Sequence, residues 1–358
     1  MRLTKTVGDY YLGSGALKNL DTLLKPLQET NNTGKVAYLI DHYFLKSDLK
    51  DKLPIRENDI LYFIDTTDEP TTEQVDKIAE EFQREGEIIA AVGIGGGSTL
   101  DITKAIANLI PNGAKAEDYQ GWDLVPGPGI FKIGIPTISG TGAEGSRTCV
   151  LMNHAKKLKL GHNSDYTVYN RLIMDPDLTA SVPKDQYFYT GMDTFIHCIE
   201  SLEGRYRHSF ADALSDAALS LSRKIFLSDD MQSKENRESL MVASFMGGSA
   251  IGNSFVGVVH PFSAGLSMVL GLHHCIGNCI VMNVMDQFYP SQTQEFHRML
   301  EKQSIKLPTG LCANLTDKQH QNLYDATIVH EKPLMNALGD DFKKTLTPST
   351  VRRIFERM

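Results

Sequence analysis

The residues best suited to chemistry lie in the second half of the chain. Asp193 and His197 are four positions apart, so a helix would place both side chains on one face. His260 and His274 flank an apolar, glycine-containing stretch further along. One carboxylate and three imidazoles suit a divalent metal such as Fe²⁺ or Zn²⁺ and leave a position open for a substrate oxygen. Each histidine alone is better explained as a buried or surface residue, and it is the joint spacing that indicates a metal site.

A glycine-rich turn in the first half has the composition of a phosphate-binding loop. The turn GGGS, residues 95–98, follows an apolar run and precedes a helical pattern over residues 99–108. Glycine lets backbone N–H groups approach a phosphate, and a helix N-terminus favours an anion. Ser98 with Asp101 is also typical of a capping box. A plain capped turn explains this segment equally well, and its spacing matches neither GxGxxG nor the P-loop.

Two further polar features follow predicted strands. The stretch PTISGTGAE, residues 136–144, interleaves hydroxyl residues with glycine, which suits hydrogen bonds to a diphosphate or a ribose. Asp41 ends another strand, and an acid there can hold both ribose hydroxyls of an adenosine and repel a 2′-phosphate, which favours NAD over NADP. Taken singly, a surface turn and a loop acid or helix cap are the better explanations. Together with the glycine turn they indicate a nucleotide site at the carboxyl ends of a sheet.

The hydrophobic pattern predicts the elements that would position these residues. Strands are predicted over residues 35–41, 60–64 and 88–92, with a helix over 72–85 between the second and the third. Helical patterns dominate from about Asp185, over residues 187–202, 209–226 and 236–250. The sequence therefore predicts an α/β plus all-α protein. An amino-terminal Rossmann-like parallel-sheet domain, residues 1–178, would bind the nucleotide, and a carboxy-terminal helical domain, residues 179–358, would bind the metal.

The amino-acid composition argues against two classes of binding partner, nucleic acids and membranes. The 358 residues are 41% hydrophobic and 22% charged, and 36 basic against 44 acidic residues give a net charge of −8 without any dense basic block. Nucleic acid is therefore not expected as a partner. No apolar run reaches signal-peptide or membrane-span length, so no membrane association is expected either. Five scattered cysteines argue against a disulfide framework and favour a reducing, cytoplasmic location.

Four stretches of the chain resemble the iron-containing (group III) alcohol dehydrogenases, and the resemblance covers nearly the full length. They are GGGSTLDITK (95–104), PTISGTGAEGS (136–146), GMDTFIHCIE (191–200) and GVVHPFSAGLSMVLGLHHC (257–275). The resemblance implies a dehydroquinate synthase-like fold and oxidation of a CH–OH group. NAD and a divalent metal, with Fe²⁺ ahead of Zn²⁺, would be the cofactors. The family's metal pattern falls on Asp193, His197, His260 and His274.

The same resemblance implies a set of cofactor-binding residues in the first half of the chain. Gly96, Gly97 and Ser98 would contact the NAD diphosphate, and Asp101 would also bind the cofactor. The other members would be Thr137 and Thr141 on the nicotinamide side, Asp41 at the adenosine ribose, Lys159 at a phosphate or ribose, and Leu178 against the cofactor.

The chain departs from the family at positions that matter for proton transfer. A further histidine usually follows the third metal ligand, and here Ala264 takes its place. The usual His-Gly at the fourth ligand is His274-Cys275, preceded by His273. The family's Thr-Thr-Ala in the second turn reads Thr-Ile-Ser, residues 137–139. The proton would therefore leave through water, through a ribose hydroxyl, or through His273 as a candidate catalytic residue.

These departures resemble a narrower branch, the Kdo 8-oxidase or dehydrogenase. It oxidises the C8 hydroxyl of 3-deoxy-D-manno-octulosonate (Kdo) during synthesis of an amino sugar of lipopolysaccharide. A sugar acid needs a cationic clamp, and arginine pairs with a carboxylate in a bidentate manner. Arg147 would take that role at the substrate, together with Arg205 and Arg207, although solvated surface arginines are an equally simple explanation.

Other functions remain open from sequence. Within the same superfamily, general alcohol or polyol dehydrogenases and an NAD-using sugar-phosphate cyclase are alternatives. From a different class, an inactive NAD-binding sensor or regulatory protein could keep the fold, although the intact metal set argues against it. The substrate is expected to be a small alcohol or sugar acid. A homodimer is also expected, because 13 methionines and apolar stretches in the helical half permit an interface, while core packing explains them too.

Overall fold

The computed structural model describes residues 5–358, which form two compact units. The first unit runs to Lys156 and includes Leu160–Ser181, and the second contains Lys157–Lys159 and Val182–Met358. The predicted boundary after residue 178 lies three residues before the main break, which follows Ser181.

The first unit is built on a parallel six-stranded sheet. Its strands, in sheet order, are β1 (Asp9–Leu12), β9 (Arg171–Met174), β6 (Phe131–Pro136), β4 (Ile88–Gly95), β2 (Lys35–Asp41) and β3 (Ile60–Ile64). A smaller sheet has the order β5 (Gly121–Trp122), β8 (Leu158–Asn163) and β7 (Thr148–Asn153). The predicted strands over residues 35–41 and 60–64 are confirmed, and the third is extended to Gly95.

Strand β4 has a hydrophobic core on each side, which explains its uninterrupted apolar sequence. Ala91 packs in one cluster, with Ile102 of the following helix. Val92 and Ile94 pack in another, with Leu20 and Leu24. A strand covered on both faces cannot alternate apolar with polar residues, because both faces are removed from water.

Three α-helices in the first unit flank the six-stranded sheet: α1 (Leu20–Thr30), α2 (Thr72–Arg84) and α3 (Gly97–Asn112). Helix α2 starts where the Thr71 hydroxyl accepts a hydrogen bond from the Gln74 amide, a side-chain N-cap. Its buried Val75, Ile78 and Phe82 recur at helical spacing, as predicted. Helix α3 begins two residues before its predicted start, directly at the glycine turn.

The second unit is helical, and among the described residues no strand follows Met174. Its helices are α4 (Lys184–Glu203), α5 (Ser209–Phe226), α6 (Lys234–Ser254), α7 (Val259–Leu270), α8 (His274–Met282), α9 (Pro290–Gln303), α10 (Asp317–Ile328), α11 (Glu331–Leu338), α12 (Phe342–Thr345) and α13 (Pro348–Phe355). Helix α4 packs against α5, α6 and α8, and α7 packs against α8 and α10. The three helical predictions correspond to α4, α5 and α6.

The described part of the chain has no disulfide and no single helix suited to crossing a membrane. Over residues 5–358 no single helix is both long and apolar enough to cross a bilayer, although α6 and α7, bent by 100°, meet that test as a pair. The five cysteines in this range are all buried, and none is in a disulfide.

Candidate metal and nucleotide sites

Three helices of the second unit bring the predicted metal ligands together. Helix α4 presents Asp193 and His197 one turn apart on one face, and both side chains are buried. His260 is the second residue of α7, and His274 is the first residue of α8. Because α8 packs against both α4 and α7, residues distant in sequence meet at one place.

The Asp193 carboxylate lies at the centre of this cluster. Its Oδ1 is 3.4 Å from His197 Nε2 and 3.3 Å from His260 Nε2, and its Oδ2 is 3.6 Å from His274 Nε2. Ligands held about 2.1 Å from a tetrahedral ion lie about 3.4 Å from one another, so these distances fit a four-coordinate metal. Candidate ligand atoms of Asp193, His260 and His274 all lie within 4.8 Å of one another.

His197 is the fourth predicted metal ligand, and its contacts differ from those of the other two histidines. Its ring stacks on that of His260, with centroids 4.8 Å apart and planes inclined by 15°. It reaches the cluster through Asp193 and is not a member of the mutually close group of three. A borderline divalent cation such as Fe²⁺ or Zn²⁺ accepts this set of one oxygen and three nitrogens, of which Asp193 and His197 are buried and His260 and His274 are partly exposed.

Burial and the charges within the cluster shift the pKa values of its members. Burial alone would raise the pKa of Asp193, but His197, His274 and His260 together hold that pKa well below its usual range. Burial lowers the pKa of His197 to about 4, against the opposing influence of Asp193. Burial also opposes protonation of His260, yet the adjacent Glu200 and Asp193 raise the pKa of His260 to about 9. The site is therefore built around anionic charge, as a cation site requires.

Two residues beside the ligands were missed by the sequence analysis. Glu200 is buried on α4, and its Oε2 is 2.5 Å from His260 Nδ1. Asn278, on α8, donates from Nδ2 to Asp193 Oδ1 at 2.7 Å and lies 3.1 Å from His274 Nε2. Both continue a helical face that carries a ligand, since Glu200 is seven positions after Asp193 and Asn278 four after His274. That periodicity was the signal available in the sequence.

A further histidine, His330, lies near the cluster, and no pattern in the sequence indicated this position. The Nε2 atom of His330 is buried and has no hydrogen-bond partner among the described residues. Burial lowers the pKa of His330 to about 4, and the positive charges of Lys159 and His260 act in the same direction. His330 is therefore neutral at physiological pH.

The glycine turn and the second polar turn meet at the carboxyl edge of the main sheet. Gly95 of β4 is in register with Pro136 of β6, and the Thr137 amide donates to the Gly95 carbonyl at 3.0 Å. A Cβ added at Gly97 would lie 2.9 Å from the Thr141 side chain, so only glycine fits there. Both turns therefore follow the carboxyl ends of adjacent strands, and the nucleotide site predicted there stays a prediction.

Helix α3 offers its amino terminus at the same place. Gly96 is the N-cap, no side chain caps the helix, and the first intrahelical bond runs from the Leu100 amide to the Gly96 carbonyl. The N–H groups of the first turn therefore lack intrahelical acceptors, which fits a diphosphate. Asp41 ends the neighbouring strand β2, and Thr99 Oγ1 donates to its Oδ2 at 3.4 Å.

The predicted capping box of Ser98 and Asp101 is wrong. Because the glycines let α3 begin at Gly97, Ser98 lies inside the first turn and not at the cap. Asp101 Oδ2 instead accepts a hydrogen bond from the Val150 amide at 2.9 Å, and its Oδ1 lies 3.9 Å from Lys104 Nζ. These contacts give Asp101 a structural role in the first unit, and its contact with a cofactor stays a prediction.

The other predicted residues lie in different surroundings. Leu178 is half-buried at the edge of a core cluster in the first unit. Lys159 belongs to the second unit, where it is buried and its Nζ lies 3.3 Å from Ser267 Oγ on α7. His273 is exposed at the N-cap of α8. Cofactor binding by Leu178 and Lys159 and proton transfer by His273 stay predictions.

Each arginine of the expected substrate clamp pairs with a carboxylate of the chain itself. Arg147 contacts Asp123 through Nη2 and Asp165 through Nε, the latter at 3.0 Å. The guanidinium of Arg205 lies 3.6 Å from Asp340, and that of Arg207 lies 3.1 Å from Asp212. These contacts compete with any substrate carboxylate, so the structure lends the clamp no support.

Both halves of the chain match domains of one protein family. Residues 8–176 match the iron-containing alcohol dehydrogenase domain, and residues 187–327 match the carboxy-terminal domain of the Fe-containing alcohol dehydrogenase family. The chain belongs to the iron-containing alcohol dehydrogenase family. Members of this family are oxidoreductases that act on CH–OH groups with NAD and a metal, as expected for this chain.

Relatives of known activity differ in substrate. The chain is 30% identical to the NAD-dependent methanol dehydrogenase of Bacillus methanolicus over 76% of this chain and 71% of the relative. It is 32% identical to the sulfoacetaldehyde reductase of Bilophila wadsworthia over 58% of this chain and 54% of the relative. The second alignment therefore spans only about half of that relative.

Solved structures share the fold of this iron-containing alcohol dehydrogenase family member. A 1,3-propanediol oxidoreductase superposes with a TM-score of 0.83 at 20% identity, covering 99% of both chains. The sulfoacetaldehyde reductase of Bifidobacterium kashiwanohense, solved with NAD⁺, superposes with a TM-score of 0.81 at 20% identity, covering 99% of this chain and 98% of that one. Both confirm the predicted combination of a parallel-sheet half and a helical half.

Proposed function

We propose that this protein catalyses the metal-assisted oxidation of a primary alcohol to an aldehyde with NAD⁺ as the acceptor. The convergence of Asp193, His197, His260 and His274 on one point carries the proposal. The reaction transfers a hydride from the alcohol carbon to the nicotinamide and releases one proton, which balances alcohol and NAD⁺ against aldehyde, NADH and H⁺.

The residues of the second unit would hold the metal. A bound divalent ion supplies Lewis acidity, which lowers the pKa of a substrate hydroxyl. Asp193 would contribute negative charge at the centre of the cluster, and each of the three imidazoles would contribute a nitrogen donor, His260 after losing a proton to make room for the metal. The four side chains are fixed on three packed helices, so the donor set is held in place before a substrate arrives.

The residues of the first unit would bind NAD. The N–H groups at the start of α3, which lack intrahelical acceptors, would bind the diphosphate, and Thr137 and Thr141 lie on the adjoining turn. Asp41, at the end of β2, would accept the adenosine ribose hydroxyls. Ala264 has no proton-accepting group, so the released proton would pass to water, to a ribose hydroxyl or to the exposed His273.

Metal content and turnover test the proposal together. Purified protein should retain close to one Fe²⁺ or Zn²⁺ per chain and form NADH from a primary alcohol. His260→Ala should lose both properties and keep its far-ultraviolet circular dichroism. The matched control is His297→Ala, because His297 is exposed on α9. A folded His260→Ala variant that turns over at the wild-type rate without metal contradicts the proposal, as does a wild-type protein that makes peroxide and no NADH.

The narrower proposal is that the alcohol is the C8 hydroxyl of Kdo, in the synthesis of a lipopolysaccharide amino sugar. It is supported by the family resemblance and by the departures at Ala264 and Cys275, and the paired arginines do not add to it. Turnover of Kdo should exceed turnover of methanol, 1,3-propanediol and 4-hydroxybutyrate by at least tenfold in kcat/KM. Preference for a simple alcohol would support the general alcohol or polyol dehydrogenase alternative.

Assembly and location are proposed on separate grounds. We expect a homodimer, because β1 lies at the edge of the sheet and its four residues are exposed, with Tyr10 and Leu12 offering apolar surface. Light scattering that gives the mass of a single chain would contradict it. A cytoplasmic location is proposed from the five buried thiols, which suit a reducing compartment.

A further inference from the structure

A second carboxylate lies behind the metal cluster and contacts one of its ligands. The Glu200 side chain has no exposure to solvent, and its Oε2 is 2.5 Å from Nδ1 of His260. The opposite ring nitrogen of His260, Nε2, faces Asp193 at 3.3 Å. Glu200 and Asp193 therefore lie on opposite sides of one imidazole.

This arrangement fixes which nitrogen of His260 carries the hydrogen. A carboxylate accepts hydrogen bonds and donates none, so Nδ1 must carry the hydrogen that faces Glu200. In the neutral ring the lone pair then lies on Nε2, the atom aimed at the cluster. Rotation of the ring would break the contact with Glu200, so the orientation of the ring is fixed together with its tautomer.

The carboxylate is itself held rigidly. Its second oxygen, Oε1, accepts a hydrogen bond of 2.5 Å from the Val259 amide, at the first residue of α7. A helix N-terminus favours negative charge, which offsets the burial of the anion. Gly257 adjoins it, where an added Cβ would lie 3.1 Å from Glu200 Oε1 and 2.5 Å from the Tyr289 hydroxyl.

We infer that Glu200 is a positioning residue that sets the tautomer and the direction of His260, and thereby the metal affinity of the site. The inference rests on the metal-dependent function proposed above. Partners of metal-ligating histidines change metal affinity by about 10- to 100-fold when they are removed. Glu200→Gln is the informative change, because it keeps the size of the side chain. The amide NH₂ group of the variant side chain would have to face either the Val259 N–H or Nδ1 of His260. If it faces Nδ1, that nitrogen must accept the hydrogen bond, and the ring hydrogen moves to Nε2.

The experiment measures metal affinity apart from turnover. Metal-free protein is titrated with Zn²⁺ against a competing chelator, for the wild type, Glu200→Gln and Glu203→Gln. Glu203 lies one turn further on α4 but is exposed and accepts from Gln292, so it is the matched control. Glu200→Gln should bind Zn²⁺ about 10- to 100-fold more weakly, and Glu203→Gln should bind it as the wild type does.

Further variants separate positioning from folding. Gly257→Ala keeps the charge of Glu200 but would crowd its carboxylate and the adjacent Tyr289 hydroxyl, and it too should weaken Zn²⁺ binding at unchanged circular dichroism. Glu200→Asp keeps the charge but shortens the reach, so it should bind Zn²⁺ more weakly than the wild type. A folded Glu200→Gln protein with Zn²⁺ affinity within twofold of the wild type overturns the inference. A wild-type protein that binds no metal overturns the proposed function instead.

Discussion

Asn278 Nδ2 lies 2.7 Å from Asp193 Oδ1, although 85 positions separate the two residues in the sequence. The same amide group is 3.1 Å from His274 Nε2 and 3.4 Å from His260 Nε2. It therefore donates to the carboxylate and lies within hydrogen-bonding distance of two imidazoles at the centre of the candidate metal site.

Removing this amide should destabilise the metal-free protein most. In Asn278→Leu, which nearly conserves volume, buried Asp193 loses a hydrogen-bond donor, and the free energy of unfolding should fall by about 1–3 kcal/mol. A bound cation attracts the same carboxylate, so the loss should be smaller in the metal-loaded protein. Denaturant melts of both forms measure the difference. An equal loss in the two forms would show that Asn278 serves packing alone.

His197 tests whether the site uses four ligands or three. Its Nε2 is 3.4 Å from Asp193 Oδ1, a spacing that fits a fourth ligand. His197→Ala should lower the affinity for Zn²⁺ at least 100-fold, since one of four donors is lost. Chelator competition measures the affinity, and His297→Ala serves as the control. Unchanged affinity would restrict the site to Asp193, His260 and His274.

Gly97 tests the nucleotide site without touching the metal. An added Cβ would lie 2.9 Å from the Thr141 side chain, so one of the two turns must shift. Gly97→Ala should raise the KM for NAD about tenfold or more, because close approach of the backbone to the diphosphate is lost. Zn²⁺ affinity should not change. Gly127→Ala, in the same unit, should leave the KM as it is, and a wild-type KM in Gly97→Ala would exclude the turn from cofactor binding.

Asp41 tests the preference for NAD. Its carboxylate accepts hydrogen bonds from the Tyr43 amide and the Thr66 hydroxyl, which hold it at the end of β2. Asp41→Ala should lower kcat/KM for NAD and raise the ratio of NADP to NAD usage about tenfold, because repulsion of a 2′-phosphate is removed. Asp65→Ala is the control, since Asp65 is nearby and exposed. An unaltered ratio would place the adenosine ribose elsewhere.

His162 makes the first unit sensitive to acid. It is buried, its Nε2 lies 2.7 Å from the Ala116 carbonyl oxygen, and burial lowers the pKa of His162 from 6.5 to about 4. Between pH 6.5 and 4 the unfolded chain binds a proton that the folded chain does not. The free energy of unfolding should therefore fall by roughly 3 kcal/mol over that range and be unaffected by His162 above it.

Replacement by a neutral side chain should remove this dependence. His162→Gln should retain more of its pH 7 stability at pH 4.5 than the wild type retains, as measured by denaturant melts at both values. His154→Gln, at an exposed position, should follow the wild type. Parallel pH profiles for His162→Gln and the wild type would contradict the role of His162.

The sequence alone determined the features that depend on residues close together along the chain. The strands over residues 35–41 and 60–64, the helices of the second half and the shared face of Asp193 and His197 all follow from local periodicity. Family motifs added the metal pattern, because its spacing is preserved. The capping box failed because the glycines at residues 95–97 allow a helix start that side-chain types do not predict.

Only the tertiary structure decided which distant groups meet. The packing of α4, α7 and α8 places Glu200 behind His260 and Asn278 against Asp193, and neither contact follows from the spacing of the residues. Elsewhere in the two units the tertiary structure pairs Arg147, Arg205 and Arg207 with carboxylates of the chain, which composition could not show. Such pairings arise because burying apolar helix faces fixes the backbones first, and the polar side chains then find the partners that remain within reach.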